Sequence, residues 1–533
     1  MLATDYRVKP PPSKYGERNG RSPWRARAPA WSASGKLAGL TLAAYFLLAA
    51  LGRVLVSDST ELDEAEQLVL TQSLQWGYVS QPPLYTWLQS LCFGVLGTRV
   101  AALAALKGSL LLGSCFFVYH SARAAAGSVL PALAATVSLC FIPQFLWESQ
   151  RDLTHSVLGT MVAAATLWVF LRLLRSRRPA DYLWFGLCAG LGMLSKYNYA
   201  FFLVALLGAA LSLASSRRVV WNEWMLASLG IFCAITLPHW IWVKTHLDLV
   251  LSQAPANPMV PHADWVRIRW LSLWSLAKST GAFLGPLLAV YLALFGRGRA
   301  TADRGNAEIR TLIQRTLISG LILCLIMTIV YPVGFKDRWL QPLLFVTPVY
   351  LALIIQARLD ATRMRRLVFL AAVAASVALV LLSGISLSAG LTGRPTRLNA
   401  PYAALARQLL ARGVPHEVVL ADSLLTAGNL RLALKPSEVL APEGPRFPVA
   451  RHTPWLAVWD ATTQKDPPPE LCRLINRLRG RSGPMDPPAY VEASLKYDSS
   501  KSMTLGYALL LPVEKGGGSE APTGGGHQGG TGH

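Results

Sequence analysis

The stretch SDSTELDEAEQLVLTQSLQWGYVSQPPLYTWLQ, residues 57–89, decides the fold of this chain and directly follows its first apolar run. Five acidic residues fall within nine positions, and no Lys or Arg follows them until Arg99. The pair Pro82–Pro83 and the aromatic run Tyr85–Trp87 come next. A flexible acidic tether does not need the aromatics, and a plain membrane span does not hold carboxylates. We therefore predict a folded loop that lies on a membrane surface and presents acids beside a rigid proline corner.

Composition assigns the chain to the membrane proteins. Of its 533 residues 52% are hydrophobic and only 15% are charged, and the mean hydropathy is +0.36. A chain of this length and polarity indicates a polytopic membrane protein. The 51 Lys and Arg residues outnumber the 29 Asp and Glu residues. Because these cations cluster between apolar runs, as in positive-inside loops, we predict contact with the lipid bilayer and no nucleic-acid partner.

The same patterns divide the chain into four parts. Residues 1–36 are rich in Pro, Gly and Arg and are typical of a disordered, basic cytoplasmic arm. Residues 37–390 hold about eleven apolar runs of membrane length, the first of them an uncleaved signal anchor. Residues 391–515 alternate strand-like and helix-like segments, which favours a small α/β domain. Residues 516–533 are predicted to be a flexible Gly/His tail.

The basic clusters also orient the predicted spans. If the N-terminus is cytoplasmic, every strongly basic loop falls on the inner side of the membrane. An odd number of spans then places the acidic loop and the C-terminal domain on the outer side. The Ala- and Arg-rich composition favours a bacterial inner membrane, with the C-terminal domain in the periplasm.

Ionisable residues gather at the outer ends of these spans, where burying a charge is costly and function is the default interpretation. Each has a structural alternative: Thr60–Asp63 matches a helix capping box, Arg151 and Asp152 precede a span as a dipole pair, and lysines anchor lipid head groups. Their shared position on the outer side favours function. The set comprises Asp63, Glu64, Arg151, Asp152, Lys196, Lys336 and Arg338.

Several of these residues stand in motifs that resemble a known family. Asp63–Ala65, followed by Trp76–Tyr78 and Pro82–Leu84, resembles the first-loop signature of GT-C glycosyltransferases. These polyprenyl-phosphate-sugar-dependent enzymes include protein O-mannosyltransferases and the bacterial aminoarabinose transferases of lipid A. The later motifs QRDLTH (150–155), SKYN (195–198) and KDRWLQP (336–342) resemble that family's second-loop acid, its Ser-Lys-Tyr element and its late basic motif.

The similarity covers about residues 37–390 in order and spacing, with one departure. Aminoarabinose transferases carry Glu-Lys before the double proline and mannosyltransferases often carry a His, whereas this chain has Ser80 and Gln81. The subfamily, the sugar and a metal contact at that point therefore stay open. No Cys pair has the spacing of a structural zinc site, so we predict no metal ligands, and a role for a divalent metal is left open.

The resemblance implies a GT-C-like membrane domain with juxtamembrane helices in the first outer loop. It also implies that Asp63 is the general base, which takes the proton of an acceptor hydroxyl and so gives inversion at the anomeric carbon. Glu64 and Asp152 then orient the acceptor or hold Lys and Arg side chains. The donor phosphate gains charge as it leaves, which calls for nearby cations. The candidates are Arg151, Lys196, Lys336 and Arg338.

Five further residues are predicted to position the loop or the substrate: Tyr78, Pro82, Pro83, Tyr85 and Tyr197. The expected partners are a polyprenyl-phosphate sugar donor and an acceptor that is a glycolipid such as lipid A or lipopolysaccharide, another glycan, or a protein. Two other classes stay open. A lipid-linked substrate transporter or flippase predicts ionisable residues within spans and inverted repeats, and a non-catalytic envelope-assembly protein predicts no convergent acid–base set.

Overall fold

The computed structural model describes residues 33–78, 81–248, 265–296, 307–331, 334–436, 438–445, 453–479 and 485–510. Most of the predicted basic arm, Ser80 and the predicted tail lie outside the described residues, so the predictions about them stay predictions. The described chain is a large helical unit followed by a small domain with a five-stranded sheet. This architecture confirms the predicted fold class.

The helical unit begins within the first apolar run. In chain order its described helices are α1 (Ala33–Val56), α2 (Leu62–Leu70), α3 (Leu84–Leu96), α4 (Val100–Ala126), α5 (Val129–Val137), α6 (Ser149–Arg151), α7 (His155–Ser176), α8 (Pro179–Ser195), α9 (Tyr199–Leu211), α10 (Ala214–Val220), α11 (Trp224–Thr245), α12 (Trp265–Phe295), α13 (Ala307–Val330), α14 (Gln341–Leu344), α15 (Val346–Ile355) and α16 (Ala361–Leu387).

Within the described residues, eight helices are long and apolar enough to cross a membrane, or up to ten if each of two bent helix pairs is one span. The bent pairs are Val129–Phe141 with Gln144–Arg151, at 74°, and Tyr199–Leu211 with Ala214–Val220, at 119°. Helix α8, at 17 residues, is shorter and packs between α7 and α11. The count is thus close to the eleven predicted, and the chain is a multi-pass membrane protein.

The break in the first bent pair is what shapes the second outer loop. Pro143 ends the straight part, and a π-helical turn, Gln144–Glu148, follows it. Proline removes a backbone donor and a π-turn widens the helix, so both redirect the chain. Arg151 and Asp152 therefore leave the membrane direction and enter a loop before α7.

The acidic first loop, between α1 and α4, contains the two short helices α2 and α3, as predicted. The capping box of α2 begins one residue later than the sequence motif suggests, because the N-cap is Glu61 and not Thr60. The Glu64 carboxylate accepts a hydrogen bond from the Glu61 N–H at 3.3 Å. Helix α3 starts directly after Pro83, whose fixed φ suits the entry to a helix.

The C-terminal domain has helices on both faces of a mixed sheet, as predicted for an α/β domain. Its helices are α17 (Ala389–Thr392), α18 (Tyr402–Ala411), α19 (Leu424–Leu434) and α20 (Pro469–Arg479). Its strands are β1 (Val418–Ala421), β2 (Glu438–Leu440), β3 (Trp455–Asp460), β4 (Ala489–Leu495) and β5 (Asp498–Leu510). The sheet order is β2-β1-β3-β5-β4, with parallel pairs around β1 and antiparallel pairs around β5.

Helix α19 docks this domain directly on α2 of the acidic loop. Gly428 lies so close to α2 that a Cβ there would stand 2.5 Å from the Ala65 carbonyl oxygen. Beside it, the Thr60 N–H donates to Asn429 Oδ1 at 2.9 Å, and Arg431 donates to Thr71 Oγ1 at 2.8 Å and to the Leu68 carbonyl. The close packing of α19 on α2 and these hydrogen bonds mean that the C-terminal domain helps to hold the acidic loop in place.

We predict that Gly428→Ala loosens this interface, because the added methyl group forces the two backbones apart at a cost of about 1–3 kcal/mol. Gly230→Ala is the matched control: Gly230 is also helical and has nothing within 4 Å of its Cβ position. Limited proteolysis and thermal unfolding in detergent check this. Equal stability of the two variants would show that the domain is not closely docked.

Candidate active site

The acidic first loop and the loop before α7, called here the first and second loops, meet through two aspartates. The Asp63 N–H, in the first turn of α2, donates to Asp152 Oδ1 at 2.9 Å. In return, Asp63 Oδ2 accepts from the Thr154 N–H at 3.3 Å. The structure therefore brings together the two acids that the motifs singled out, although 89 positions separate them.

Burial and mutual repulsion set the protonation of this aspartate pair. The Asp152 side chain is only 11% exposed. Burial, and next the nearby Asp63 carboxylate, raise the pKa of Asp152 to about 6. Above that pH the Asp152 carboxylate is charged, and a charged carboxylate at this place can accept a proton during a reaction near neutral pH.

Predicted cations stand beside Asp63. Arg338 Nη1 lies 3.9 Å from Asp63 Oδ1. Lys196, in the turn between α8 and α9, donates a hydrogen bond to the Ser156 hydroxyl. Burial lowers the pKa of Lys196 to about 8, although the Asp63 carboxylate opposes this shift. An ammonium with a lowered pKa is weakly solvated, which suits contact with a substrate anion.

Glu64 points away from the two aspartates and is locked between two cations. Its Oε2 lies 2.7 Å from Arg53 Nη2 and its Oε1 lies 3.1 Å from Lys107 Nζ, and its side chain is 1% exposed. Burial alone would raise the pKa of Glu64, but the two cations outweigh it and lower the pKa to about 2. Of its two predicted roles, this geometry supports holding cations, since the carboxylate is closed off from an acceptor.

A polar cavity of about 500 Å³ opens beside Asp152. Among its lining residues, Arg151 pairs with Glu148 at 2.9 Å. Lys336 and Lys278 also line it, and within the described part of the chain neither forms an ion pair. Cations that line a cavity without a carboxylate partner favour an anionic ligand. The full lining is Glu148, Arg151, Asp152, Leu153, Ser275, Lys278, Ser279, Ala282, Phe335, Lys336, Asp337 and Arg338.

The first three predicted positioning residues hold the outer loop in shape. Tyr78 is buried and donates from its hydroxyl to the Ser73 carbonyl at 2.9 Å. Pro82 and Pro83 are buried directly before α3. These contacts fix the described ends of the connection between α2 and α3.

The remaining two tyrosines connect this loop to the spans. The Tyr85 ring is fully buried against the His155 ring, with 5.2 Å between centroids. Tyr197 donates to His239 Nε2 at 3.1 Å, and His239 Nδ1 donates to the Trp76 carbonyl at 2.7 Å. Both tyrosines contact protein groups, which agrees with a positioning role, and that role stays a prediction.

Sequence reasoning missed four charged residues of this region. Arg53 and Lys107 lie at or within apolar spans, where a charge is itself a signal of function or pairing. Lys278 lies on α12 and lines the cavity. Arg397 follows the last span in a segment without a recognisable motif, and its Nη1 lies 3.1 Å from Glu61 Oε2 and 3.9 Å from Asp152 Oδ2.

Among the described residues, no group of three or more His, Cys, Asp or Glu side chains is arranged to hold a metal ion. The groups that surround the cavity are instead carboxylates and fixed cations. A multi-pass helical unit with paired carboxylates, cations and a cavity between outer loops has the parts of a membrane enzyme that acts on an anionic substrate.

Comparisons with known proteins specify this class. Residues 80–242 match the dolichyl-phosphate-mannose-protein mannosyltransferase family model. Over 454 residues the chain is 34% identical to the lipopolysaccharide core galacturonosyltransferase RgtB of Rhizobium johnstonii, covering 83% of this chain and 91% of that protein. It is 32% identical over 437 residues to RgtA of the same organism, covering 80% and 86%.

A solved structure shares the fold. The crystal structure of ArnT from Cupriavidus metallidurans bound to undecaprenyl phosphate matches with a TM-score of 0.55 and 13% identity, over 89% of this chain and 98% of that one. The chain belongs to the GT-C superfamily of glycosyltransferases and is a membrane glycosyltransferase. These comparisons do not favour the transporter or the non-catalytic alternative.

We predict that Glu64→Gln destabilises the protein by about 3–5 kcal/mol, because it leaves two buried cations without their shared carboxylate. Asp58→Asn is the control in the same loop: Asp58 is exposed and pairs with Lys496 at 3.4 Å, and exposed pairs contribute about 0–1 kcal/mol. Thermal unfolding in detergent, followed by tryptophan fluorescence, measures both. A Glu64→Gln protein as stable as the control would contradict the anchoring role.

Proposed function

We propose that this chain transfers a galacturonic acid residue from a polyprenyl-phosphate donor to the core of lipopolysaccharide. The relatives RgtB and RgtA, named for this reaction class, support the sugar and the acceptor over the other glycan and protein acceptors. The structure of ArnT bound to undecaprenyl phosphate supports a polyprenyl-phosphate donor. The observation that carries the proposal is the aspartate pair at the edge of a cavity whose two lysines form no ion pair with the described residues.

The charge of the cavity suits this donor. A polyprenyl-phosphate galacturonate carries two anionic groups, the phosphodiester and the sugar carboxylate. Lys278 and Lys336 are the cations available for them, and Arg338 lies between the cavity and Asp63. A neutral sugar would need only one of these positive charges. Lys196, on the other side of Asp63, and Arg151, already paired with Glu148, complete the positive surroundings of the donor.

The chemistry follows from the two loops. In this proposal Asp63 takes the proton from an acceptor hydroxyl as that oxygen attacks the anomeric carbon. The bond between the anomeric carbon and the phosphate oxygen breaks, and polyprenyl phosphate leaves with the electron pair. Lys336 and Arg338 stabilise the charge that grows on the phosphate. Attack from the face opposite the leaving group inverts the anomeric centre.

The location follows from the charge pattern. We place the protein in the bacterial inner membrane with its N-terminus in the cytoplasm, residues 37–390 as the catalytic membrane domain, and residues 391–515 as a periplasmic domain. The arm 1–36 and the tail 516–533 lie on opposite sides in this arrangement. The basic inner loops and the acidic outer loop support it.

Asp63→Asn should reduce transfer by at least about 100-fold, the usual size of a general-base contribution, without loss of protein. The test uses a deletion strain complemented with wild type, Asp63→Asn, Asp152→Asn or the control Asp58→Asn. Mass spectrometry follows the envelope glycolipids and the accumulated lipid-linked sugar. If Asp63→Asn transfers normally and Asp152→Asn does not, Asp152 is the base. If envelope glycans are the same with and without the protein, the transferase proposal fails.

Lys278→Ala and Lys336→Ala should each raise the KM for a uronic-acid donor by about 10-fold or more, since one lost charge-assisted contact costs about 1.5–3 kcal/mol. Lys244→Ala is the control, because Lys244 is exposed on α11 and does not line the cavity. Initial rates with a synthetic polyprenyl-phosphate uronate and with its neutral-sugar analogue measure the effect. Unchanged KM values for both lysine variants would show that the donor binds elsewhere.

A further inference from the structure

Residues 396–400, which connect the first short helix of the C-terminal domain, α17, to its next helix, α18, are hydrogen-bonded to the acidic loop. Ser57 donates from its hydroxyl to the Leu398 carbonyl at 2.6 Å, and Ser59 donates to the Ala400 carbonyl at 2.7 Å. Both serines are buried. This connection is therefore a structural part of the loop that carries Asp63.

Asn399 fixes the shape of this connecting segment. Its side chain is fully buried. Its Oδ1 accepts from the Thr396 N–H at 2.7 Å, and its Nδ2 donates to the Ser386 and Lys496 carbonyls at 2.8 Å each. These bonds tie the end of α16, the connecting segment and the turn before β5 into one unit. The short 3₁₀ turn Arg397–Asn399 thus projects Arg397 from a rigid base.

Arg397 points from that base at two nearly buried carboxylates. Its Nη1 lies 3.1 Å from Glu61 Oε2 and 3.9 Å from Asp152 Oδ2. The Glu61 side chain is 5% exposed. Buried carboxylates stay ionised only when a cation or several donors compensate for the lost water. The Arg397 side chain is partly exposed, so it lies at the surface of the loop and compensates the charge of the two carboxylates from there.

We propose that Arg397 is a positioning residue of the active site: it holds the Glu61 and Asp152 carboxylates in place, so that Asp152 keeps the Asp63 backbone oriented for reaction. The C-terminal domain is then a condition for catalysis, because it rigidly carries the segment that presents Arg397. This inference rests on the proposed role of Asp63 as base.

The charges around Asp152 give the sign of the expected pH effect. Asp63 and Glu61 from the first loop oppose its ionisation, and Lys107 from α4 and Arg397 favour it. Arg151 precedes it in its own loop. An opposite charge at this distance lowers a carboxyl pKa by about 1–3 units. We therefore expect loss of Arg397 to raise the pKa of Asp152 and loss of Glu61 to lower it.

The experiment measures sugar transfer from pH 5 to 9 by Arg397→Gln, Arg397→Lys and Glu61→Gln. Arg394→Gln is the control, because Arg394 is exposed three positions before Arg397 and forms no ion pair with the described residues. We expect the acid limb of kcat to move up by about one pH unit in Arg397→Gln, which is about a 10-fold loss below the limb. Arg397→Lys should restore most of it, Glu61→Gln should move the limb down, and the donor KM should stay within about 2-fold.

Two results would overturn the inference: an equal loss of kcat at every pH, or a limb that does not move in either direction. Should Arg397→Gln fail to fold, the opposite shift in Glu61→Gln and the retained limb in Arg397→Lys still decide the question. Failure of the proposed function is distinguishable, because wild type would then transfer no uronic acid in the same assay. A wild type that transfers, with Arg397→Gln unchanged beside it, refutes the positioning role alone.

Discussion

The buried carboxylate of Glu64 is the contact on which the outer half of the structure depends. It joins Arg53 at the end of α1 to Lys107 within α4, and so ties the acidic loop to two spans. Lys107 also donates to the Arg151 and Asp152 carbonyls at 3.5 Å. These two bonds connect the ion pairs of Glu64 to the second loop. Removing one member of such a set leaves uncompensated charge in an apolar setting, so the three residues act as one unit.

Besides these ion pairs, other contacts on different sides of α2 hold Asp63 in place. The ion pairs lie at its base, Asp152 and Thr154 contact its first turn, and helix α19 crosses it closely at Gly428. A group held by several independent contacts loses little further freedom when substrate binds, which is the physical content of preorganisation. The C-terminal domain thus helps to hold α2 rigidly in the membrane unit, and its sheet supports α19 in this contact.

The sequence was enough for the fold class, and it placed Asp63 and Asp152 at the same side of the spans, but it did not show their contact or the cations that hold them. Hydropathy and the ordered motifs reflect constraints that repeat along the chain, so the spans were predictable, whereas the hydrogen bond between Asp63 and Asp152 is known only from the structure. Arg397 lies 336 positions from Glu61, and nothing local marks that pairing. Arg53 and Lys107 lie in apolar spans. The hydropathy of such a span gives its length, but it does not show which face of the helix a charged residue occupies. The capping frame of α2 shifted by one residue because Glu64 serves both the cap and the ion pairs.

Glu64 and Asp152 lie in different environments, which give their carboxyl groups different pKa values and different roles. Glu64 has a pKa of about 2, below its ordinary value near 4.5, so its stabilising charge is fully present above that ordinary value and is lost only as the pH falls through about 2. Asp152 has a pKa of about 6, raised by burial and by Asp63, and loses its charge much earlier on acidification. Between these two values the loop stays anchored while Asp152 takes up a proton. Acid should therefore neutralise Asp152 well before it breaks the ion pairs of Glu64 that hold the loop in place.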